Sequence, residues 1–95
     1  MSLFDLIGFI KRGKNRQKVF NAVDKPILPS ELTKKIYGKS SNTYFNVVSR
    51  SLSELKDKEL IEVVNPDEKT GRIYRKTKLG ERLTKKLQEI ENKQQ

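Results

Sequence analysis

Asn42-Thr43-Tyr44-Phe45-Asn46-Val47-Val48-Ser49-Arg50-Ser51-Leu52-Ser53-Glu54-Leu55-Lys56-Asp57-Lys58 is the stretch on which the fold turns. Phe45, Val48, Leu52 and Leu55 recur at spacings of three, four and three, the period of a helix with one buried side. This predicts an amphipathic helix over about 42–58 with those four residues facing the core. At about 100° per residue, Thr43, Asn46, Val47 and Arg50 then point away from it.

Upstream, Pro29-Ser30-Glu31-Leu32 opens a helix of about two turns, with Ser30 as its N-cap. Leu32, Ile36 and Tyr37 form its buried side, and Gly38 stops it. Lys39-Ser40-Ser41 is a turn in which Ser40 or Ser41 caps the following helix. Lys25-Pro26-Ile27-Leu28-Pro29 is too rich in proline for a helix, so it is extended, and Ile27-Leu28 is read as one short strand. Val19, Phe20 and Val23 mark a helix over about 14–24. Leu3, Leu6, Ile7 and Ile10 mark another over about 2–12, with Ser2 as N-cap.

Downstream, the β-branched run Leu60-Ile61-Glu62-Val63-Val64 and the run Arg72-Ile73-Tyr74-Arg75-Lys76-Thr77 flank the polar loop Asn65-Pro66-Asp67-Glu68-Lys69-Thr70-Gly71. Two strand-like runs around a loop punctuated by Pro and Gly read as a β-hairpin. Thr77 caps a last helix lined by Leu79, Leu83, Leu87 and Ile90, beyond which Glu91-Asn92-Lys93-Gln94-Gln95 is expected to fray. No internal repeat is present.

The chain has 95 residues and no Pro/Gly/Ser-rich linker, which points to one domain, 1–95. Within it lie an N-terminal helix (1–12), a core (14–77), a C-terminal helix (78–92) and a tail (93–95). Only 34% of residues are hydrophobic, so the core is small. Lys and Arg number 21 against 12 Asp and Glu, a net charge of +9. Such an excess favours a polyanionic partner, since contacts to phosphates release condensed counterions. Mere enrichment in Lys and Glu would raise both signs together.

Cys and His are both absent. That removes disulfides, thiolate nucleophiles, imidazole bases and the usual zinc ligands, so no metal, cofactor or enzymatic activity is expected. The start Met1-Ser2-Leu3-Phe4-Asp5-Leu6-Ile7-Gly8-Phe9-Ile10-Lys11 carries its charge after the apolar run and has no cleavage site, unlike a signal peptide. It is also too short to span a bilayer. A cytoplasmic protein without a membrane partner is the expectation.

The order helix, short strand, helix, turn, helix, hairpin, helix gives a mainly α fold with a small β-hairpin (α+β). It matches a winged helix-turn-helix with additional N- and C-terminal helices. At residue level the chain resembles archaeal winged helix-turn-helix transcriptional regulators of the MarR/ArsR-like group over roughly Lys14 to Leu83. The stretches that carry the resemblance are Pro29-Ser30-Glu31-Leu32, Val48-Ser49-Arg50-Ser51-Leu52-Ser53-Glu54-Leu55, Leu60-Ile61, Asn65-Pro66-Asp67, and Gly71-Arg72-Ile73-Tyr74-Arg75-Lys76-Thr77 with Leu79-Gly80. Glu59 stands where a Gly commonly precedes the first wing strand, Ser40-Ser41 makes the turn polar, and no apolar ligand pocket is evident. No small-molecule effector is therefore expected. The resemblance implies a sequence-specific regulator of double-stranded DNA, with the helix about 42–58 in the major groove and the wing about 65–72 on the adjacent minor groove or backbone.

On that helix, Arg50 suits guanine, Asn46 suits adenine, and Val47 or the Thr43 methyl suits the thymine methyl group. Ser41 and Asn42, at the positive helix end, suit a phosphate. Lys69 and Arg72 in the wing suit a minor groove. Lys11, Arg12, Lys14, Arg16 and Lys18 form the densest basic run; Lys14 and Arg16, with Lys34 and Lys35, are candidates for backbone phosphate. The plainer reading of each is a solvated surface charge. Tyr37, Tyr44 and Tyr74 are read as packing residues rather than base-stacking platforms, and Glu54, Asp57, Glu59 and Glu62 as surface charges.

Leu3, Leu6, Ile7 and Ile10 at one end and Leu83, Leu87 and Ile90 at the other exceed the needs of a small core. They either pack on each other within one chain or pair two chains; a homodimer through the terminal helices is expected. Two other readings compete with the regulator: a winged-helix module that docks on protein, and an RNA-binding domain.

Overall fold

Capping residues fix where several helices begin, and the computed structural model, which describes residues 2–93, shows Ser2, Ser41 and Thr77 in that role. The order is α1 (Leu3–Lys11), α2 (Lys14–Ala22), α3 (Pro29–Tyr37), α4 (Asn42–Asp57), β1 (Ile61–Val63), β2 (Tyr74–Lys76) and α5 (Lys78–Lys93). The fold is mainly helical with a small two-stranded antiparallel sheet, as the sequence predicts.

Ser2 caps α1 reciprocally: its hydroxyl accepts from the Asp5 N–H at 3.2 Å, and its own N–H donates to the Asp5 carboxylate at 3.4 Å. Ser41 caps α4 by accepting from the Tyr44 N–H at 3.2 Å. The Thr77 hydroxyl starts α5 by accepting from the Gly80 N–H at 3.1 Å, while donating to the Glu59 carbonyl at 2.6 Å. Ser30, expected as the cap of α3, instead lies inside its first turn. Pro29 is the first helical residue, where its fixed φ and missing N–H suit it, and the Leu28 N–H is met by Glu31 at 3.4 Å. Gly38 ends α3 at φ 75°, a left-handed conformation open to glycine.

Helix α2 stops at Ala22, two residues before the predicted end, because the chain turns extended toward Pro26. Ile27 then exchanges two backbone hydrogen bonds with Tyr74, at 3.0 and 2.9 Å; the short strand expected there is this single bridge. In the hairpin Ile61 pairs with Lys76, Glu62 with Arg75 and Val63 with Tyr74, so both strands are shorter than the runs 60–64 and 72–77. Beyond Val64, whose N–H donates to the Ile73 carbonyl at 2.8 Å, the Asn65 side chain replaces the ladder, donating to the Gly71 carbonyl at 3.0 Å and accepting from the Ile73 N–H at 2.8 Å.

Helix α4 ends in a Schellman motif: the Glu59 N–H reaches the Lys56 carbonyl and the Leu60 N–H the Leu55 carbonyl. Glu59 takes the left-handed position at φ 61°, a conformation that favours glycine. Leu60 thereby enters the core.

Helix α2 packs against α1, α3 and α4, and α5 closes over α1 and β2. Phe20, Leu32, Val48, Leu52, Leu55 and Leu83 are fully buried at their junction. Two expectations are corrected here. Phe45 lies outside the core, 39% exposed, and the core side of α4 is built on Val48, Leu52 and Leu55 with the half-buried Tyr44. The terminal stripes are not spare surfaces: Leu6, Ile7, Ile10, Leu83 and Leu87 are buried in one core cluster, with Leu3 and Ile90 packed against it. A topology that brings α5 onto α1 lets each stripe cover the other, which removes the reason for expecting a dimer through them. Helix α5 runs through Glu91 and Asn92 to Lys93 instead of fraying there; Gln94 and Gln95 of the expected tail lie outside the described residues.

Candidate nucleic-acid interface

Side chains of α4 turn from core to solvent every three or four residues, and the outward set follows from where Tyr44 goes. The Tyr44 ring stacks on Tyr37 of α3, with centroids 4.5 Å apart and planes at 10°. Tyr37 is held in turn by a 3.2 Å hydrogen bond from its hydroxyl to Asn15 of α2. With the rotation of α4 fixed by that stack, Asn42, Thr43, Asn46 and Arg50 are exposed, while Val47 is half-buried at the margin. Phe45 joins the exposed set. Lys39, 5.7 Å from the Tyr44 ring centroid, and Lys18, 5.9 Å from that of Tyr37, add positive charge beside the stack.

Arg50 and Lys14 line one shallow cleft of about 210 Å³ where the start of α2 meets α4, together with Asn15, Val47 and Glu54. Lys14 is exposed. The sequence placed these two residues on separate helices, and the fold brings them to one surface.

Arg16 has a different fate. Its Nε and Nη2 donate to the Phe9 carbonyl, the former at 2.9 Å, and its Nη1 pairs with Glu54 at 3.0 Å. Its guanidinium carbon also lies 3.8 Å from the Phe9 ring centroid. Arg16 borders the same cleft, but with only 14% of its side chain exposed and its guanidinium committed to Phe9 and Glu54 it ties α1 to α2 and α4. The basic run gave no sign of this, because the partners come from a helix corner and from a residue 38 positions away.

Lys34 is exposed on α3. Lys35 is occupied, donating to the Ala22 carbonyl at 2.8 Å and to Asp24 at 3.0 Å. The hydrogen bond from Lys35 holds the Asp24 carboxyl below its ordinary pKa. The Ser41 hydroxyl is engaged by its capping bond, so the exposed polar side chains of this first turn are those of Asn42 and Thr43.

In the hairpin loop Lys69 is exposed. Arg72 is half-buried, with Nε donating to the Glu68 carbonyl at 2.9 Å, which stiffens the loop. Arg72 also borders an open cleft of about 620 Å³ under the hairpin, walled by Ile61, Val63, Pro66 and Leu79 and by Lys56, Lys78, Glu59 and Glu62. No pattern in the sequence pointed to this cleft, since these residues converge only when α5 closes beneath the hairpin. Glu62 forms a surface ion pair with Arg75 at 2.8 Å, and Glu54 a partly buried one with Arg16, so two of the four carboxylates noted in the sequence are engaged by arginines.

Among the described residues no group of three or more Asp or Glu is placed to hold a metal ion, and no helix is long and apolar enough to cross a membrane. No protein-family model, curated protein or solved structure matches this chain.

Proposed function

We propose that this protein is a sequence-specific regulator that binds double-stranded DNA through a winged helix-turn-helix, with α3 and α4 as the helix pair and the β1–β2 hairpin as the wing. The observation that carries this reading is the outward face of α4: Asn42, Thr43, Asn46 and Arg50 stand exposed on one rigid, capped helix beside Lys14. Donors and acceptors of this kind, regularly spaced on a helix narrow enough for the major groove, are what direct readout of base edges requires. The order of elements and the single Ile27–Tyr74 bridge, which ties the segment before α3 to the hairpin, support the same architecture.

In this reading Arg50 addresses guanine and Asn46 adenine, while Lys14 and Lys34 hold backbone phosphate. Lys69 and Arg72 lie on the adjacent minor groove or backbone. The net charge of +9 supplies sequence-independent attraction.

Exposed Phe45 is the feature of α4 that a protein-docking module would share. A single aromatic side chain beside Ser40, Ser41 and Asn42 is not an apolar patch of docking size, which favours nucleic acid.

The test is an electrophoretic shift series with duplex DNA, single-stranded DNA and RNA over a range of salt. Duplex binding that falls steeply as salt rises is expected. Absence of duplex binding at low salt, or binding indifferent to salt, overturns the proposal; tighter binding of RNA than of duplex DNA replaces it with the RNA-binding reading.

A further inference from the structure

Three large apolar side chains remain exposed among the described residues, Phe4, Phe45 and Val64, and of these Phe45 alone stands on α4. Its exposure follows from its neighbours. Adjacent residues on a helix point about 100° apart, and the contact available on one side is already taken by Tyr44 against Tyr37. The core side is filled by Val48, Leu52 and Leu55, all fully buried. Phe45 in the first turn is therefore left at the margin of the core with 39% of its surface exposed. The Ser41 cap orders the backbone of the turn that carries the ring.

Around Phe45 lie Ser40, Ser41 and Asn42, which form with it an open hollow of about 540 Å³. A lone apolar ring among hydrogen-bonding groups, at the end of the helix that enters the groove first, meets one apolar group on base edges: the 5-methyl of thymine. We propose that Phe45 is a specificity-determining residue that packs on a thymine methyl group in the major groove, next to the base pairs addressed by Asn42 and Asn46. This rests on the reading of α4 as the DNA-reading helix. It adds a thymine preference that the polar residues alone do not supply, and it assigns that preference to Phe45 instead of Thr43 or Val47.

The experiment begins with selection of a binding site from a randomised duplex pool by the wild-type chain. Each thymine of the selected site is then replaced, one at a time, by deoxyuridine, which removes only the methyl group. The expected result is a loss of about fourfold at one or two positions, the value of one methyl group returned to water. Phe45→Ala binds the thymine site more weakly by a similar factor and shows no further loss with deoxyuridine at those positions. Phe45→Leu regains part of the sensitivity, and Val47→Ala keeps all of it. A selected site without thymine, a wild-type chain indifferent to every methyl group, or an undiminished deoxyuridine loss in Phe45→Ala overturns the inference while leaving DNA binding intact. The scan with wild-type protein needs no variant to fold. Failure to select any duplex overturns the DNA reading itself, and this inference with it.

Discussion

The Cα of Gly80 in α5 lies so close to the Leu60 carbonyl that a methyl group there would sit far inside van der Waals contact with the oxygen. The same carbonyl accepts from the Thr77 N–H at 3.1 Å, so it is held from one side and crowded from the other. This contact seats the start of α5 against the base of the hairpin. Gly80→Ala must displace backbone, not a flexible side-chain end, and is expected to destabilise the protein by about 3 kcal/mol, the upper part of the range for overpacking. A urea midpoint equal to wild type contradicts the close approach.

Leu87 gives a second test of how α5 is seated. It is 5% exposed within a single chain. Leu87→Ala should then cost about 2–5 kcal/mol as a core truncation. Were Leu87 a dimer contact, the variant would instead be a stably folded monomer. Thermal melts and sedimentation of both proteins separate the two outcomes.

The two stripes also show what the sequence conveys and what it withholds. Periodicity located all five helices to within two residues at most ends, because burial on one side leaves a repeating mark. It did not say which stripe meets which, since that depends on α5 folding back over α1. Phe45 and Tyr44 illustrate the same limit within one helix: both precede Val48 at helical spacings, and either can face the core. The choice was made by Tyr37, a residue of another helix. Of the candidate site, the polar face of α4 was legible from the wheel, whereas the fates of Arg16 and Lys35 were not. Their partners are backbone carbonyls and carboxylates assembled by tertiary structure.

Arg16 and Lys14, two residues apart, are expected to behave oppositely. Arg16→Ala removes hydrogen bonds to the Phe9 carbonyl and an ion pair to Glu54 from a mostly covered site, and should cost about 2 kcal/mol of stability. Arg16→Lys should not restore it, as an ammonium cannot reproduce the planar fork over the Phe9 ring. Lys14→Ala should leave the melt unchanged and weaken binding to all duplexes alike. Reversal of this pattern, with Arg16→Ala fully stable and defective only in DNA affinity, restores Arg16 as a phosphate contact.

Lys76 makes stability depend on alkaline pH. Its Nζ donates to Thr84 at 2.7 Å and lies 4.3 Å from the Phe20 ring centroid. Burial pushes its pKa below the ordinary 10.5, against smaller opposing effects of Asp24 and Glu81. Between the native pKa and 10.5 the unfolded chain binds more protons than the native state, so this group makes stability rise with pH across that window. Below the window both states are protonated and the slope from Lys76 vanishes. In Lys76→Met this contribution is absent, so wild type should gain stability relative to the variant as the pH approaches 10.5. A stability difference that stays flat with pH removes Lys76 as its source.

Arg50 carries the most specific expectation, because two roles are open to a guanidinium at its position. It is exposed on α4, one turn beyond Asn46, where it can make two parallel hydrogen bonds to a guanine edge. It also shares a cleft with Lys14, where the pair can clamp a phosphate. The roles separate when affinity for a selected site is compared with affinity for random duplex at one salt concentration. As a base contact, Arg50→Ala loses about 1–3 kcal/mol of discrimination, roughly tenfold or more, and keeps the wild-type melt because it buries little. Lys34→Ala should weaken both duplexes equally and flatten the salt dependence by just under one log unit. If Arg50→Ala follows the pattern of Lys34→Ala, Arg50 is a phosphate contact, and base reading passes to Asn42, Phe45 and Asn46 at the start of the helix.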